Sequence, residues 1–247
     1  MHTKIERFSD LSSLSQRAAQ AIAQTLHAAI EHRGWCSWVL SGGATPGRIY
    51  EYLAAPFFSV KMPWDKIHFF WGDERCVPWD TQESNFYLAH TALISKISIP
   101  QSNIHRMRGD ISPPEYSATS YEQELRAFFQ SAMGRENMFP QFDLVLLGLG
   151  ADGHTASLFP GDETVNENSR WVRAVHAPAG YYPENRITLT LPAINNSQRV
   201  FFLVSGKAKA PVVNKVIAGI LGAENPYPAA CVAPRKELVW FIDEGGA

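Results

Sequence analysis

The sequence predicts an α/β fold, with one mostly parallel central sheet that helices flank on both faces. Short apolar segments alternate with longer segments in which apolar residues recur at helical spacing. The short segments are almost continuously apolar, which is typical of parallel strands buried on both faces. No internal repeat, low-complexity segment or change of composition marks a linker. We therefore expect a single domain over residues 1–247.

Local signals predict where the elements begin and end. The first helix has Asp10 at its N-cap and Gly34 just beyond its end. In the second helix we expect Thr45 as the cap and Pro46 at the first helical position. The predicted helices are residues 10–32, 45–53, 84–94, 113–133 and 207–221. The predicted strands are residues 35–40, 67–71, 142–147, 171–177, 186–191, 199–204 and 238–242.

Composition excludes several classes of protein. The 22 Lys and Arg residues nearly balance the 24 Asp and Glu residues, which argues against binding to nucleic acid or to an acidic membrane. Three cysteines lie far apart, without the spacing of a disulfide framework or a zinc site. No segment approaches the roughly 20 apolar residues of a membrane span, and the first residues lack the apolar core of a signal peptide. We expect a cytoplasmic protein.

Two glycine-containing loops follow predicted strands, where ligands bind in open α/β sheets. Gly42 and Gly43 precede a helix start, so backbone N–H groups could hold a phosphate, although an ordinary turn has the same appearance. Asp73 and Arg75 belong to a charged cluster at the end of the next strand. Arg75 could bind a phosphate or a carboxylate through two hydrogen bonds, and a surface salt-bridge cluster is the alternative.

The third loop, residues 148–155, carries the most specific signal. Its glycines spell G-x-G-x-x-G, the dinucleotide-binding pattern. That fold needs a crossover helix of about 10–12 residues after the glycines, and Pro160-Gly161 follows too soon. What remains is Asp152 two residues before His154 on a glycine-rich turn, an arrangement suited to acid–base chemistry. A buried histidine with only a packing role is the alternative.

Two further cations lie at the ends of predicted strands, one at the beginning of a strand and the other just after one. Arg186 opens the strand at 186–191, and Lys207 stands at the start of the helix at 207–221. Because a cation is unfavourable at a helix N-terminus, Lys207 suggests an anionic ligand. For Arg186 alone, solvated surface charge is the alternative.

Taken together, these motifs resemble the glucosamine-6-phosphate isomerase/6-phosphogluconolactonase family, and within it the lactonases. The resemblance covers most of the chain in family order. The motifs that carry it are Ser41-Gly42-Gly43-x-Thr45-Pro46, Gly72-Asp73-Glu74-Arg75, Ser84-Asn85, Gly148-x-Gly150-x-Asp152-Gly153-His154-Thr155, Arg186-Ile187-Thr188-Leu189-Thr190, Gly206-Lys207-x-Lys209 and Trp240-Phe241-x-Asp243.

The related deaminases share the first and third loops but continue the third into F-N-E-P, which supplies a glutamate five positions after the histidine. Here that position is Phe159, so the carboxylate associated with ring opening in the deaminases is missing. Ala44 stands where the family often has Ser or Thr, which removes a possible hydroxyl contact.

The resemblance implies a deaminase/isomerase-type fold and hydrolysis of 6-phospho-D-glucono-1,5-lactone in the pentose phosphate pathway, without metal or organic cofactor. We expect His154 to activate water as general base and Asp152 to support it. A serine nucleophile is not expected, because the chain has no G-x-S-x-G elbow. The expected substrate-binding residues are Gly42, Gly43, Thr45, Asp73, Arg75, Arg186 and Lys207.

Three alternatives stay open. A deaminase/isomerase would release ammonia from glucosamine 6-phosphate. An NAD(P)-dependent oxidoreductase would bind nucleotide. A non-catalytic sugar-phosphate-binding protein would leave lactone decay at its spontaneous rate. Protein partners are not predicted.

Overall fold

We describe the fold from a computed structural model, which covers residues 2–134, 138–220 and 227–243. The strands are β1 (His2–Phe8), β2 (Cys36–Leu40), β3 (Ile67–Trp71), β4 (Asp73–Arg75), β5 (Leu144–Leu147), β6 (Val172–His176), β7 (Asn185–Leu189), β8 (Arg199–Ser205) and β9 (Glu237–Asp243). The α-helices are α1 (Leu11–Arg33), α2 (Ala44–Ala54), α3 (Pro56–Ser59), α4 (Asn85–Ala92), α5 (Pro114–Met133), α6 (Leu191–Asn195) and α7 (Ala210–Ile220).

The central sheet has six strands in the order β1-β9-β8-β5-β2-β3, and every neighbouring pair is parallel. Its inner strands β2 and β5 are buried along their whole length, as continuous apolar sequence predicts. Phe202 and Trp240 occupy paired positions on β8 and β9, and their rings stack with centroids 3.9 Å apart. The predicted α/β fold with a mostly parallel central sheet is confirmed.

A second, smaller sheet was not predicted. It is antiparallel, with the order β4-β7-β6, and two of its strands are the extended segments predicted near residues 171–177 and 186–191. The third, β4, is only three residues long, and its charged sequence is typical of a loop. This sheet brings Asp73 opposite Thr188 and Arg75 opposite Arg186. It therefore carries three of the predicted site residues.

Several element boundaries differ from the prediction. Asp10 does cap α1, accepting a hydrogen bond from the Ser13 amide at 2.8 Å. In α2 the N-cap is Gly43 and not Thr45, because Gly43 takes a φ of 101° that lets the chain turn directly into the helix. Strand β1 was missed, since its largely exposed and charged sequence has no continuous apolar run.

The predicted helix at 207–221 divides into two parts. Its last predicted residue, Leu221, lies outside the described residues. Lys207–Lys209 form a 3₁₀ turn, and α7 follows it. Across the described ranges, no helix is both long enough and apolar enough to cross a membrane.

Candidate active site

A cavity of about 240 Å³ lies beyond the carboxyl ends of β2, β3, β5 and β8. The loops after these strands, together with β4 and β7 of the small sheet, supply its walls. Its lining includes seven of the predicted site residues, namely Gly42, Gly43, Thr45, Asp73, Arg75, His154 and Arg186. The three glycine loops therefore meet at one site, as the position of each after a parallel strand predicts.

His154 and Asp152 form a hydrogen-bonded pair at the edge of this cavity. Nδ1 of His154 lies 2.6 Å from Oδ1 of Asp152, and the His154 amide donates to the same oxygen at 3.1 Å. Since an ionised carboxylate only accepts hydrogen bonds, Nδ1 is the protonated nitrogen and the lone pair of the neutral ring is on Nε2. Partial burial raises the pKa of Asp152, but the hydrogen bonds it accepts outweigh burial and hold that pKa below its usual value.

The glycine turn is shaped around this pair. The Gly150 amide donates to the His154 carbonyl at 2.8 Å. A Cβ on Gly150 would lie 2.0 Å from His154 Nδ1 and 2.7 Å from Asp152 Oδ1, so no other residue fits there without displacing the imidazole. The residues after Gly153 form turns until the 3₁₀ segment Glu163–Asn166, and no crossover helix follows the glycines. In this chain, the glycine at position 150 leaves room for the His154 imidazole.

Arg75 and Arg186 stand side by side on the β4–β7 ladder. Arg186 is only 5% exposed, and within the described ranges no carboxylate lies within ion-pair distance of either guanidinium. Burial and then the charge of Arg75 lower the pKa of Arg186. Nε of Arg75 is buried and has no hydrogen-bond partner among the described residues. Asp73 partly offsets their charge without forming an ion pair with either arginine. Two adjacent cations at the wall of a polar cavity, neither in an ion pair with a described carboxylate, are chemically suited to an anion.

Asn85 holds this wall in place, and its role was not predicted. Its Nδ2 donates to the Asp73 carbonyl at 2.8 Å and to the Asp73 carboxylate at 3.0 Å, while its Oδ1 accepts a hydrogen bond from Arg75 Nη1. A Cβ on Gly42 would lie 1.8 Å from Asn85 Oδ1, so the first loop also needs its glycine for this contact. Asp73 further accepts a hydrogen bond from Ser157 Oγ at 2.7 Å.

Glu74 is buried and accepts a hydrogen bond from the Asn85 amide. Its carboxylate accepts hydrogen bonds from the amides of Arg75, Asn85 and Phe86 and from the Ser84 hydroxyl. Burial raises the pKa of Glu74 to about 7, against the lowering effect of these donors. The carboxylate thus satisfies N–H groups at the start of α4 and anchors the segment that carries Asn85.

Lys207 does not line the cavity, contrary to the prediction. It is exposed at the start of the 3₁₀ turn after Gly206, and the third residue of that turn, Lys209, lines the cavity instead. Burial lowers the pKa of Lys209, and no ion-pair partner is present in the part of the chain that the structure describes. No group of three or more metal-ligating side chains occurs in the same described ranges.

These features describe an α/β protein with a polar cavity lined by two arginines and by a histidine that is hydrogen-bonded to an aspartate. Residues 9–240 match the profile of the family described as glucosamine-6-phosphate isomerases/6-phosphogluconolactonase. The chain belongs to this family.

Individual relatives extend over nearly the whole chain. A 6-phosphogluconolactonase from Nostoc sp. is 40% identical, over 98% of this chain and 96% of its own. The crystal structure of 6-phosphogluconolactonase from Thermotoga maritima is 33% identical and superimposes with a TM-score of 0.83, over 98% of this chain and 99% of its own. A monomeric glucosamine-6-phosphate deaminase, 22% identical with a TM-score of 0.77 over 97% of both chains, shares the fold. The fold alone therefore does not separate the two activities.

Proposed function

We propose that this protein hydrolyses the lactone 6-phospho-D-glucono-1,5-lactone to 6-phosphogluconate, with His154 as general base. The observation that carries the proposal is one cavity lined both by His154, which is hydrogen-bonded to Asp152, and by two arginines that form no ion pair within the described ranges. The names of the curated relatives support the same activity.

In the proposed reaction, Nε2 of His154 takes a proton from water as the water oxygen attacks the lactone carbonyl carbon. Asp152 keeps the proton on Nδ1 and stabilises the imidazolium that forms. The tetrahedral intermediate carries an oxyanion, for which backbone N–H groups of the loops or a cation of the cavity are the available donors. Its collapse breaks the bond to the ring oxygen, which receives the proton from the imidazolium and becomes a hydroxyl. Atoms and charge balance without a cofactor.

We assign the 6-phosphate to the wall formed by Arg75 and Arg186. Guanidinium groups match the geometry of a phosphate, and neither the buried Arg186 nor the half-buried Arg75 forms an ion pair within the described ranges. Gly42, Gly43 and Thr45, which line the cavity at the start of α2, complete the proposed substrate contacts together with Asp73. The cytoplasmic location and the single-domain boundary at 1–247 remain predictions from the sequence.

Deaminase activity is the second candidate, and the surroundings of His154 argue against it. Phe159 occupies the position where deaminases carry a glutamate. It is fully buried, with its ring centroid 4.8 Å from that of His154. A test with both substrates separates the candidates. We expect acid release from the phosphorylated lactone above its spontaneous decay, and no ammonia from glucosamine 6-phosphate. Ammonia release, with lactone decay unchanged, would refute the lactonase proposal.

The glycine turn gives a first prediction. Gly150→Ala should lower kcat by about 100-fold, because its Cβ would displace the His154 imidazole from Asp152. The control is Gly148→Ala, whose Cβ would meet no atom within 4 Å. Steady-state kinetics of both variants provide the measurement. Equal losses in the two would show that the displacement of His154 is not the cause.

The two lysines of the 3₁₀ turn give a second prediction. Lys209→Gln should lower kcat/KM by about 10-fold or more, since it removes a partly buried cation from the cavity. Lys207→Gln, two residues away and exposed, should change kcat/KM less than two-fold, which is about 0.4 kcal/mol and within the range of surface substitutions. The reverse order of effects would restore the role predicted for Lys207.

A further inference from the structure

Ser157 connects the loop of the acid–base pair to the small sheet. It lies three residues after His154 and is fully buried. Its hydroxyl donates a hydrogen bond to Oδ2 of Asp73 at 2.7 Å, and its amide donates to the Thr188 hydroxyl at 3.2 Å. Asp73 and Thr188 are paired on β4 and β7, so one residue of the loop contacts both members of a single pair of the ladder. The steps proposed for lactone hydrolysis do not use Ser157.

The loop holds Ser157 in a defined position. The Leu158 amide donates to the Thr155 carbonyl at 2.9 Å, which closes the turn that contains Ser157. The Thr155 hydroxyl donates to the Gly148 carbonyl at 2.8 Å and ties this turn to the beginning of the same loop. Ala156 has a φ of 48°, in the left-handed region that favours glycine, so the contacts of its neighbours must hold this conformation. The Ser157 hydroxyl is therefore presented to the small sheet by a fixed backbone.

We propose that Ser157 is a positioning residue, which fixes the Asp73 carboxylate so that Asp73 receives hydroxyl groups of the sugar lactone. This inference rests on the proposed function. Asp73 lines the cavity, and within the described ranges its Oδ1 accepts from Asn85 Nδ2 at 3.0 Å while its Oδ2 accepts from Ser157. Because each carboxylate oxygen has two lone pairs, both oxygens keep one acceptor position after these contacts. The two donors come from different segments of the chain, and together they set the direction in which those positions point.

The charge of Asp73 explains why a hydroxyl is the expected ligand group. A carboxylate repels a phosphate, whereas it accepts hydrogen bonds from hydroxyls. Asp73 and Arg75 share one face of β4, since side chains alternate along a strand. When the phosphate of a lactone binds Arg75, we expect the hydroxyl-bearing part of the same molecule to lie against Asp73. Loss of the Ser157 hydroxyl would leave Oδ2 without this donor and free the carboxylate to rotate, which weakens that contact.

The test compares Ser157→Ala with Ser197→Ala. Ser197 is equally buried, and its hydroxyl donates to the Ile194 carbonyl at 2.6 Å. It lies just before β8, whereas the cavity lies beyond the carboxyl end of that strand. For Ser157→Ala we expect KM to rise about 3- to 10-fold, by the same factor for phosphorylated and unphosphorylated gluconolactone, because both carry the ring hydroxyls. The value of kcat should change less than about two-fold, as for a contact made equally in the ground state and the transition state.

The control and the second lactone decide between positioning and a structural role. For Ser197→Ala, KM and kcat should stay within about two-fold of the unaltered protein. Equal effects of the two serine substitutions on KM would overturn the positioning role, and so would an increase of KM confined to the phosphorylated lactone. If Ser157→Ala does not fold, Ser157→Cys replaces it, since its thiol is a weaker donor at the same position and the same result is expected.

A readout that needs no activity keeps this inference separate from the proposed function. The carboxyl carbon of Asp73, identified by the loss of its signal in Asp73→Asn, should give a carbon NMR resonance that moves in Ser157→Ala and stays in place in Ser197→Ala. An unchanged resonance in a folded Ser157→Ala protein would overturn the positioning role. If the unaltered protein does not accelerate lactone hydrolysis, the proposed function fails, and the resonance alone still decides whether Ser157 fixes the Asp73 carboxylate.

Discussion

Replacing His154 by asparagine lowers kcat for lactone hydrolysis by about 10²- to 10⁴-fold, the range that general-base assistance contributes. The imidazole is the group with a free lone pair beside the cavity, because Asp152 occupies its Nδ1 hydrogen. KM should change little, since the phosphate is assigned to Arg75 and Arg186 and not to His154. Steady-state rates, corrected for spontaneous decay of the lactone, provide the measurement.

His32→Asn is the matched control for this prediction. His32 is exposed in the last turn of α1 and is not among the residues that line the cavity. Its substitution should leave kcat within two-fold of the starting value. A folded His154→Asn protein that retains near-normal turnover would exclude His154 as the general base.

Replacing Arg186 by glutamine raises KM for the phosphorylated lactone by about 10- to 100-fold, as expected when a charged hydrogen-bond donor to phosphate is lost. KM for unphosphorylated gluconolactone should stay nearly constant, because that substrate has no group for this wall to bind. Arg186 is well suited to this comparison, since it is buried on β7 beside Arg75 and carries no ion pair within the described ranges.

The unphosphorylated substrate serves as the internal control for Arg186→Gln. A general loss of structure would weaken the binding of both lactones, and a melting curve of the variant identifies that case. Equal increases of KM for the two lactones in a folded protein would contradict the assignment of the phosphate to Arg186.

Much of the fold could be predicted because its signals are local. Asp10 and Gly34 bound α1 through capping interactions that involve only neighbouring residues. The continuous apolar runs of β2 and β5 reflect burial on both faces. The small sheet could not be predicted, because β4 acquires its extended conformation from pairing with β7, more than 100 residues away in sequence. Strand β1 likewise depends on pairing with β9.

The site shows the same division between local and distant determinants. The glycine loops and the adjacent pair of Asp152 and His154 were visible as motifs, since each lies within one turn. Lys207 was predicted from its position at the start of a helix. The structure has a 3₁₀ turn there, whose third residue, Lys209, lines the cavity, and the sequence spacing did not indicate this turn. Asn85 was not assigned a role, because its contacts join segments from different parts of the fold. The Ser84-Asn85 motif was the available signal for Asn85.

The central claim is that the His154–Asp152 pair and the arginine wall together form a site for lactone hydrolysis. The most direct measurement is the rate at which freshly prepared 6-phosphogluconolactone disappears, followed with increasing concentrations of the unaltered protein. We predict a rate that rises in proportion to protein concentration and far exceeds the spontaneous rate. Lactone decay at the spontaneous rate in the presence of the folded protein would contradict the claim.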